Sequence, residues 1–329
     1  MKKMGISGIS VVVMCLCGLS AQRVSADVTL FNDTFGSGST LNAAPSAPTA
    51  NSTSYEQGLG VTVTGSSGSI ASGDLSLRSG TTSSIVDEIG ALFTTSPLTL
   101  SGIGSEIDLQ IVWVGTSNIL TGTSSGTSQV AIGLYNSGGS APQQGTTIFS
   151  STSSPTGGAK GWDGYGANVF QAATAKIYPR SPQNNGTLAT NQELLFNNAS
   201  SSQSYHDPSG GNLTGASKSS TNNLTAGATY TSELRITLTG AASLAVSNTL
   251  FSGAGTGGTV LWSENGTTNN ATDLTFDGLA FGWRYSGTSA ASQLDINSIA
   301  VTTNIPEPST WMLVGSGLAL MVGLARRRR

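Results

Sequence analysis

Charge is what this 329-residue chain has least of. Only 9% of its residues are Asp, Glu, Lys or Arg, against about 25% in an average soluble domain. Lys, Glu and Arg are also strong helix formers, so their scarcity argues against a helical bundle and a helix-rich α/β enzyme. The net charge of −3 argues equally against a charge-extended disordered polymer. Aromatics are sparse at 6%. The single histidine, His206, precedes Asp207-Pro208 in a polar run. One imidazole in a loop builds neither a Ser-His-Asp triad nor a metal centre. The two cysteines, Cys15 and Cys17, both lie near the N-terminus. What is abundant is glycine, 43 residues, with Ser, Thr and Asn, beside a hydrophobic fraction of 37% that suffices for a core. This composition points to an exported, β-rich and loop-rich protein.

The N-terminus reads as a signal peptide over residues 1–26. Lys2 and Lys3 form a basic start, and Ile9 to Leu19 an apolar run too short to span a bilayer unaided. Val24-Ser25-Ala26 puts small residues before a cut at Asp27. A buried N-terminal helix and a lipoprotein cut before Cys17 are the alternatives; Leu16 stands where the latter expects a small residue. Removing the leader removes both cysteines. Disulfides, thiol catalysis and thiolate zinc sites are then excluded from the mature chain.

The C-terminus, residues 305–329, has three parts in fixed order. Ile305-Pro306-Glu307-Pro308-Ser309-Thr310 comes first, then the apolar run Trp311 to Ala325, then Arg326, Arg327, Arg328 and Arg329. Each proline lacks an N–H and disfavours helix in the residue before it, so the first part is extended and accessible. Gly315, Gly317 and Gly323 suit a membrane helix better than a soluble one, and Trp311 suits an interfacial anchor. The run is a little shorter than the ~20 residues of an ordinary span. The arginines stay cytoplasmic by the positive-inside rule, which leaves the bulk of the chain outside. A membrane anchor on a proline-rich stalk is the plain reading. These residues also resemble the PEP-CTERM sorting signal of Gram-negative bacteria. That resemblance implies recognition and removal of the tail by an exosortase, transient membrane association, and export linked to extracellular polysaccharide.

Without its two ends the chain keeps 7 basic and 16 acidic residues, a net of −9, since the ends hold seven of the 14 basic and one of the 17 acidic residues. Such a surface argues against nucleic-acid binding. Residues 27–304 carry strand-like alternation. Val28 and Leu30, Val61 and Val63, Ile107 to Trp113, Val130 to Leu134, Leu234 to Leu238, and Leu279 to Trp283 each keep a period of two. Leu294 and Ile296 change phase to Ile299 and Val301, which predicts a β-bulge near Asn297 or Ser298. Gly-rich turns such as Asn136–Gly139 and Gly253–Gly258 separate the runs. About a dozen strands, mostly with one wet face, predict an all-β antiparallel sandwich. Leu30 to Phe35 and Leu294 to Val301 resemble the terminal strands of concanavalin A-like (laminin G-like) jelly rolls. That resemblance implies that the two terminal strands share one sheet.

Two groups of residues are candidates for chemistry. Glu106 and Asp108 alternate on one strand, so they share a face about 7 Å apart. With Gln110 they resemble the Glu-x-Asp-x-Glu strand of laminarinase-type glucanases, but Gln110 stands where that family places its acid/base. An amide cannot fill that role, and a wetted sheet face is the alternative. Trp162-Asp163-Gly164-Tyr165 lies in a Gly-rich stretch. If exposed, Trp162 and Tyr165 would stack on sugar rings beside Asp163; otherwise both rings plug the sandwich edge. No metal site is expected from the sequence, although calcium on Asp and backbone oxygens is compatible with a jelly roll. Asn185-Gly186-Thr187 and Asn223-Leu224-Thr225 are chance sequons in so Asn- and Thr-rich a chain.

The sequence thus predicts an exported, non-catalytic surface or matrix protein that meets signal peptidase and exosortase during export and associates with polysaccharide. A lectin-like carbohydrate-binding module is the alternative. A glycoside hydrolase using Glu106 and Asp108 is the third reading.

Overall fold

The computed structural model describes residues 27–36, 40–41, 54–59, 67–71, 73–78, 85–116, 120, 128–138, 148–149, 158–169, 177–180, 194–195, 213, 224–271, 273–285 and 293–304. The leader, the sorting tail, Val61, Val63, the Asn185 sequon, His206 and Asn223 lie outside these residues. Among the described residues no helix is long and apolar enough to cross a membrane.

Seventeen strands and one 3₁₀ turn, Gly158–Gly161, are formed by the described residues. The first nine are β1 Val28–Asp33, β2 Thr40–Leu41, β3 Ser54–Leu59, β4 Ser67–Ala71, β5 Asp74–Arg78, β6 Ile85–Leu92, β7 Leu98–Thr99, β8 Glu106–Gly115 and β9 Ser128–Asn136. The others are β10 Asp163–Val169, β11 Ile177–Arg180, β12 Thr229–Gly240, β13 Ser243–Ser252, β14 Val260–Thr268, β15 Thr275–Phe276, β16 Gly278–Tyr285 and β17 Gln293–Asn304.

The strands form two large sheets. Sheet 1 has the order β14-β13-β12-β8-β17-β5-β4 and is antiparallel throughout. Strand β1 adds to the same edge of β17 as β5, pairing with Ile299 to Thr303 where β5 pairs with Gln293 to Ile296. The terminal strands therefore do share a sheet. Sheet 2 has the order β11-β10-β9-β16-β6-β3-β2, antiparallel except for the two-residue contact of β2 with β3. A short ribbon pairs β15 with β7.

The sequence pattern explains this layering. Ile107, Leu109, Ile111 and Trp113 of β8 point inward together with Leu234, Ile236 and Leu238 of β12 and Leu294, Ile296, Ile299 and Val301 of β17. Val130, Ile132 and Leu134 of β9 and Leu279, Phe281 and Trp283 of β16 meet them from sheet 2 in one apolar cluster. Each such side chain contributes about 1.5–3 kcal/mol by leaving water. The phase change in β17 is a register shift between Ile296 and Ser298, as the sequence predicts. Without that extra residue, Ile299 and Val301 would turn to the wet face. The predicted turns behave as such: Asn136 Oδ1 accepts from Gly138 N at 2.9 Å, and Gly253 and Gly255 take positive φ between β13 and β14.

Asp33 stitches β1 to the opposite sheet. Its Oδ1 accepts from Phe35 N at 2.8 Å and its Oδ2 from the Tyr55 hydroxyl at 3.0 Å. Burial, and then Asp33, raise the Tyr55 phenol well above its ordinary range, so it remains a donor. The bond fixes Phe35 at a φ of 55° with its ring 5.5 Å from that of Tyr55.

Sheet 2 departs from the expectation of one wet face. Its outer face carries a second apolar layer of Leu92, Ala131, Tyr135, Ile148, Ala159, Trp162, Leu194, Leu195 and Ala280, with Phe149 packed against it. Among the described residues Ile148, Phe149, Ala159, Leu194 and Leu195 cover this face, so strands of sheet 2 are buried on both sides, and β6 shows no alternation from Asp87 to Leu92.

Candidate functional site

Glu106, Asp108 and Gln110 stand on the outer face of β8, at the centre of sheet 1. The shared face is as the period of two requires. The neighbouring strand adds what the sequence reading did not supply, a cation among the acids. β12 sets Arg235 opposite Asp108 and Glu233 opposite Gln110. Arg235 Nε donates to Asp108 Oδ1 at 2.8 Å, and its Nη2 lies 3.4 Å from Glu233 Oε1. Gln110 Nε2 donates to the same Glu233 oxygen at 3.3 Å. Burial pushes Asp108 up to about 6 and raises Glu233, while Arg235 draws both back down. The bond to Asp108 in turn raises Arg235 above its ordinary range. The result is an ion-pair network that ties β8 to β12. The alternation that placed Arg235 on the wet face of β12 was visible in the sequence; its register against β8 was not.

The triplet around residue 163 is placed differently from the exposed arrangement. Trp162 and Tyr165 are 0% and 1% exposed. Trp162 lies in the outer layer of sheet 2, 6.3 Å from the Tyr135 ring and pressed on Gly278. Tyr165 points to the other face, into the sandwich interior, 6.5 Å from Phe276. Of the two readings of these rings the structure shows the buried one, and the sugar contact through exposed rings is corrected: odd and even positions flank β10, and both of its faces are covered. Arg180 fixes the turn before β10, donating to the carbonyls of Trp162 and Ala159, the latter at 2.7 Å. Its guanidinium lies 6.0 Å from the Tyr135 ring centroid.

Asp163 is half-buried and is hydrogen-bonded to Asp273. Burial and the second carboxyl push it up to about 7. Asn136 Nδ2 donates to Asp273 Oδ2 at 2.5 Å, and Thr275 N donates to Asp273 Oδ1 at 2.8 Å. Asp277 accepts from Ser137 N at 2.7 Å and Ser137 Oγ at 2.6 Å, and burial raises it too. Calcium requires about six to eight oxygens. Among the described residues no group of three or more His, Cys, Asp or Glu is arranged to hold a metal ion.

Two buried glutamates hold the outer layer of sheet 2 in place. Glu56 Oε2 accepts from Ile148 N at 2.5 Å and Phe149 N at 3.0 Å. Glu88 accepts from Leu194 N at 2.7 Å and Leu195 N at 3.0 Å. Burial pushes Glu56 up to about 7 against the pull of those two backbone donors. Neither glutamate was read from the sequence, yet a signal exists. β3 contains Glu56-x-Gly58 and β6 contains Glu88-x-Gly90, and the register sets each Glu opposite the other strand's Gly. The floor continues across the sheet, with Gly90 opposite Ala280, Ala280 opposite Gly133, and Gly133 opposite Gly166. Missing side chains let the Phe149 ring lie against Gly58 and Gly90.

Residues 304–329 match the family model of the PEP-CTERM protein-sorting motif. The chain carries a PEP-CTERM sorting motif. It embraces Pro306, Glu307, Pro308 and the four arginines, and it implies export with recognition of the tail by an exosortase. No curated protein matches the chain. Among solved structures, the chain is similar to lectin II from Ulex europaeus at 12% identity and a TM-score of 0.36, covering 80% of this chain and 97% of that one. It is similar to the winged bean acidic lectin, solved with methyl-alpha-D-galactose, at 11% identity and a TM-score of 0.37, covering 85% and 99%. A protein of unknown function from Shewanella oneidensis MR-1 is similar at 15% identity and a TM-score of 0.35, covering 78% and 81%.

Proposed function

We propose that this chain is an exported, non-catalytic β-sandwich protein that is cut at both ends. Signal peptidase removes residues 1–26. An exosortase grips the extended Pro306-Glu307-Pro308 segment and cleaves the tail while Arg326 to Arg329 hold its end on the cytoplasmic side. The released domain resides at the cell surface or in extracellular polysaccharide. The sorting motif at 304–329 is the observation that carries this reading. The ion pair favours a structural role for Asp108 over a glycosidase, because its Oδ1 is already engaged by the Arg235 guanidinium. Stacking of sugars on Trp162 and Tyr165 forms no part of the proposal, since both rings are buried.

Mass spectrometry of the protein recovered from its native host tests the route. The expected product begins at Asp27 and lacks the arginine cluster. Deleting residues 305–329 is expected to change its distribution between membrane and medium. A native product that retains Arg326 to Arg329 overturns the proposal.

A further inference from the structure

Asp87 and Trp283 stand directly opposite each other on β6 and β16, on the face of sheet 2 that looks into the sandwich. Both residues are fully buried. Gln57 Nε2 donates to Asp87 Oδ1 at 2.8 Å. The other carboxyl oxygen, Oδ2, has no hydrogen-bond partner, and neither has Trp283 Nε1. Buried polar groups are almost always paired, and leaving one unpaired costs about 1–3 kcal/mol. Here an unused oxygen and an unused donor belong to residues directly opposite each other on one pair of strands.

Residues opposite one another in an antiparallel ladder have Cβ atoms about 4.5–5.5 Å apart. A small oxygen-bearing guest between the two side chains serves both atoms: it accepts from the indole N–H and exchanges a hydrogen bond with the carboxyl. A cation does not serve both, because it is repelled by the N–H, whereas water serves both whether the carboxyl is charged or neutral. Val130 of β9, opposite Trp283 on its other side, carries no polar side-chain atom. We propose that Asp87 and Trp283 together bind one internal water molecule as a fixed part of the folded core. The burial that pushes Asp87 up to about 8 accords with a neutral carboxylic acid at this site. The site also pins the strand register. A slip of one residue would part the donor from the acceptor and set Asp87 against Gly282 or Arg284.

The test is made on the folded domain in solution by NMR. The indole N–H of Trp283 is expected to give a cross-peak to a long-lived water. Asp87→Asn keeps an acceptor oxygen of the same size and is expected to retain that cross-peak. Asp87→Leu removes the polar partner and is expected to lose it while the Trp283 indole resonance itself remains. Absence of the cross-peak in the wild-type protein, or its persistence in Asp87→Leu, overturns the proposal. Should Asp87→Leu not fold, the wild-type and Asp87→Asn cross-peaks decide.

Discussion

Arg235→Met isolates the electrostatic contribution of the network on sheet 1. Methionine keeps an apolar stem over the strand and removes the charge. Asp108 and Glu233, each 7% exposed, would then share a buried surface without a cation. Breaking a buried ion pair costs about 3–5 kcal/mol. The Arg235 side chain is 41% exposed, so solvent already screens part of the attraction. We therefore expect a loss of about 2 kcal/mol at pH 8, equivalent to a fall of roughly 4–8 °C in Tm for a domain of this size. The loss should depend on pH with a definite sign. Asp108 in the folded wild-type protein sits at about 6, above its ordinary 3.8. At pH 5 its carboxyl is largely protonated with or without the arginine, and there is less charge for Arg235 to balance. The destabilisation should shrink as pH falls through 6. Urea unfolding followed by tryptophan fluorescence provides the assay, since Trp113, Trp162, Trp262 and Trp283 are all buried. A loss that is equal at pH 5 and pH 8, or below about 0.5 kcal/mol at pH 8, would refute the reasoning, because that is the level of an ordinary surface substitution.

Other consequences are open to similar measurement. Asp87 is raised to about 8 in the folded state from an ordinary 3.8, so between those values the folded chain binds one proton more than the unfolded chain. Stability should therefore fall with rising pH across that window, by up to about 1.4 kcal/mol per unit, and Asp87→Asn should remove this slope. Glu56→Ala leaves Ile148 N and Phe149 N without their shared acceptor and should cost about 2–4 kcal/mol in urea unfolding, with Glu56→Gln costing less than half as much. A Cβ on Gly282 would lie 2.5 Å from that of Glu88 and 2.6 Å from the Asp87 carbonyl, whereas at Gly161 it meets nothing within 4 Å. Gly282→Ala should thus lower stability by about 2–3 kcal/mol, and calorimetry should find Gly161→Ala within about 0.5 kcal/mol of wild type.

The strands that one sheet face exposes to water were the legible part of the sequence. β8, β12 and β17 have polar outer positions, so their period of two stands out, and even the bulge in β17 is readable as a change of phase. β6 was not legible. In Asp87-Glu88-Ile89-Gly90 the two acids point to opposite faces, and both are buried, so polarity carries no information about which side is wet. The same double coverage left Trp162 and Tyr165 open between exposure and burial in the sequence, because a Gly-rich stretch looks exposed until a second layer is known to lie over it. Glycine there paves a sheet and does not free a loop. Pairings across distant strands, such as Arg235 with Asp108, depend on register, which a single sequence does not encode locally.

The last strand has a consequence for the order of events in export. β17 lies inside sheet 1, gripped by β8 on one side and by β5 and β1 on the other. Neither flank of that sheet can close until Gln293 to Asn304 have emerged from the translocation channel, so the domain is among the last things the chain can complete. Only Ile305 separates the end of β17 from the first proline of the sorting handle. Val28 sits across from Thr303, which brings the start of the first strand to the same pole as the end of the last. On the proposed route, both processing events act on segments that leave this one pole of sheet 1.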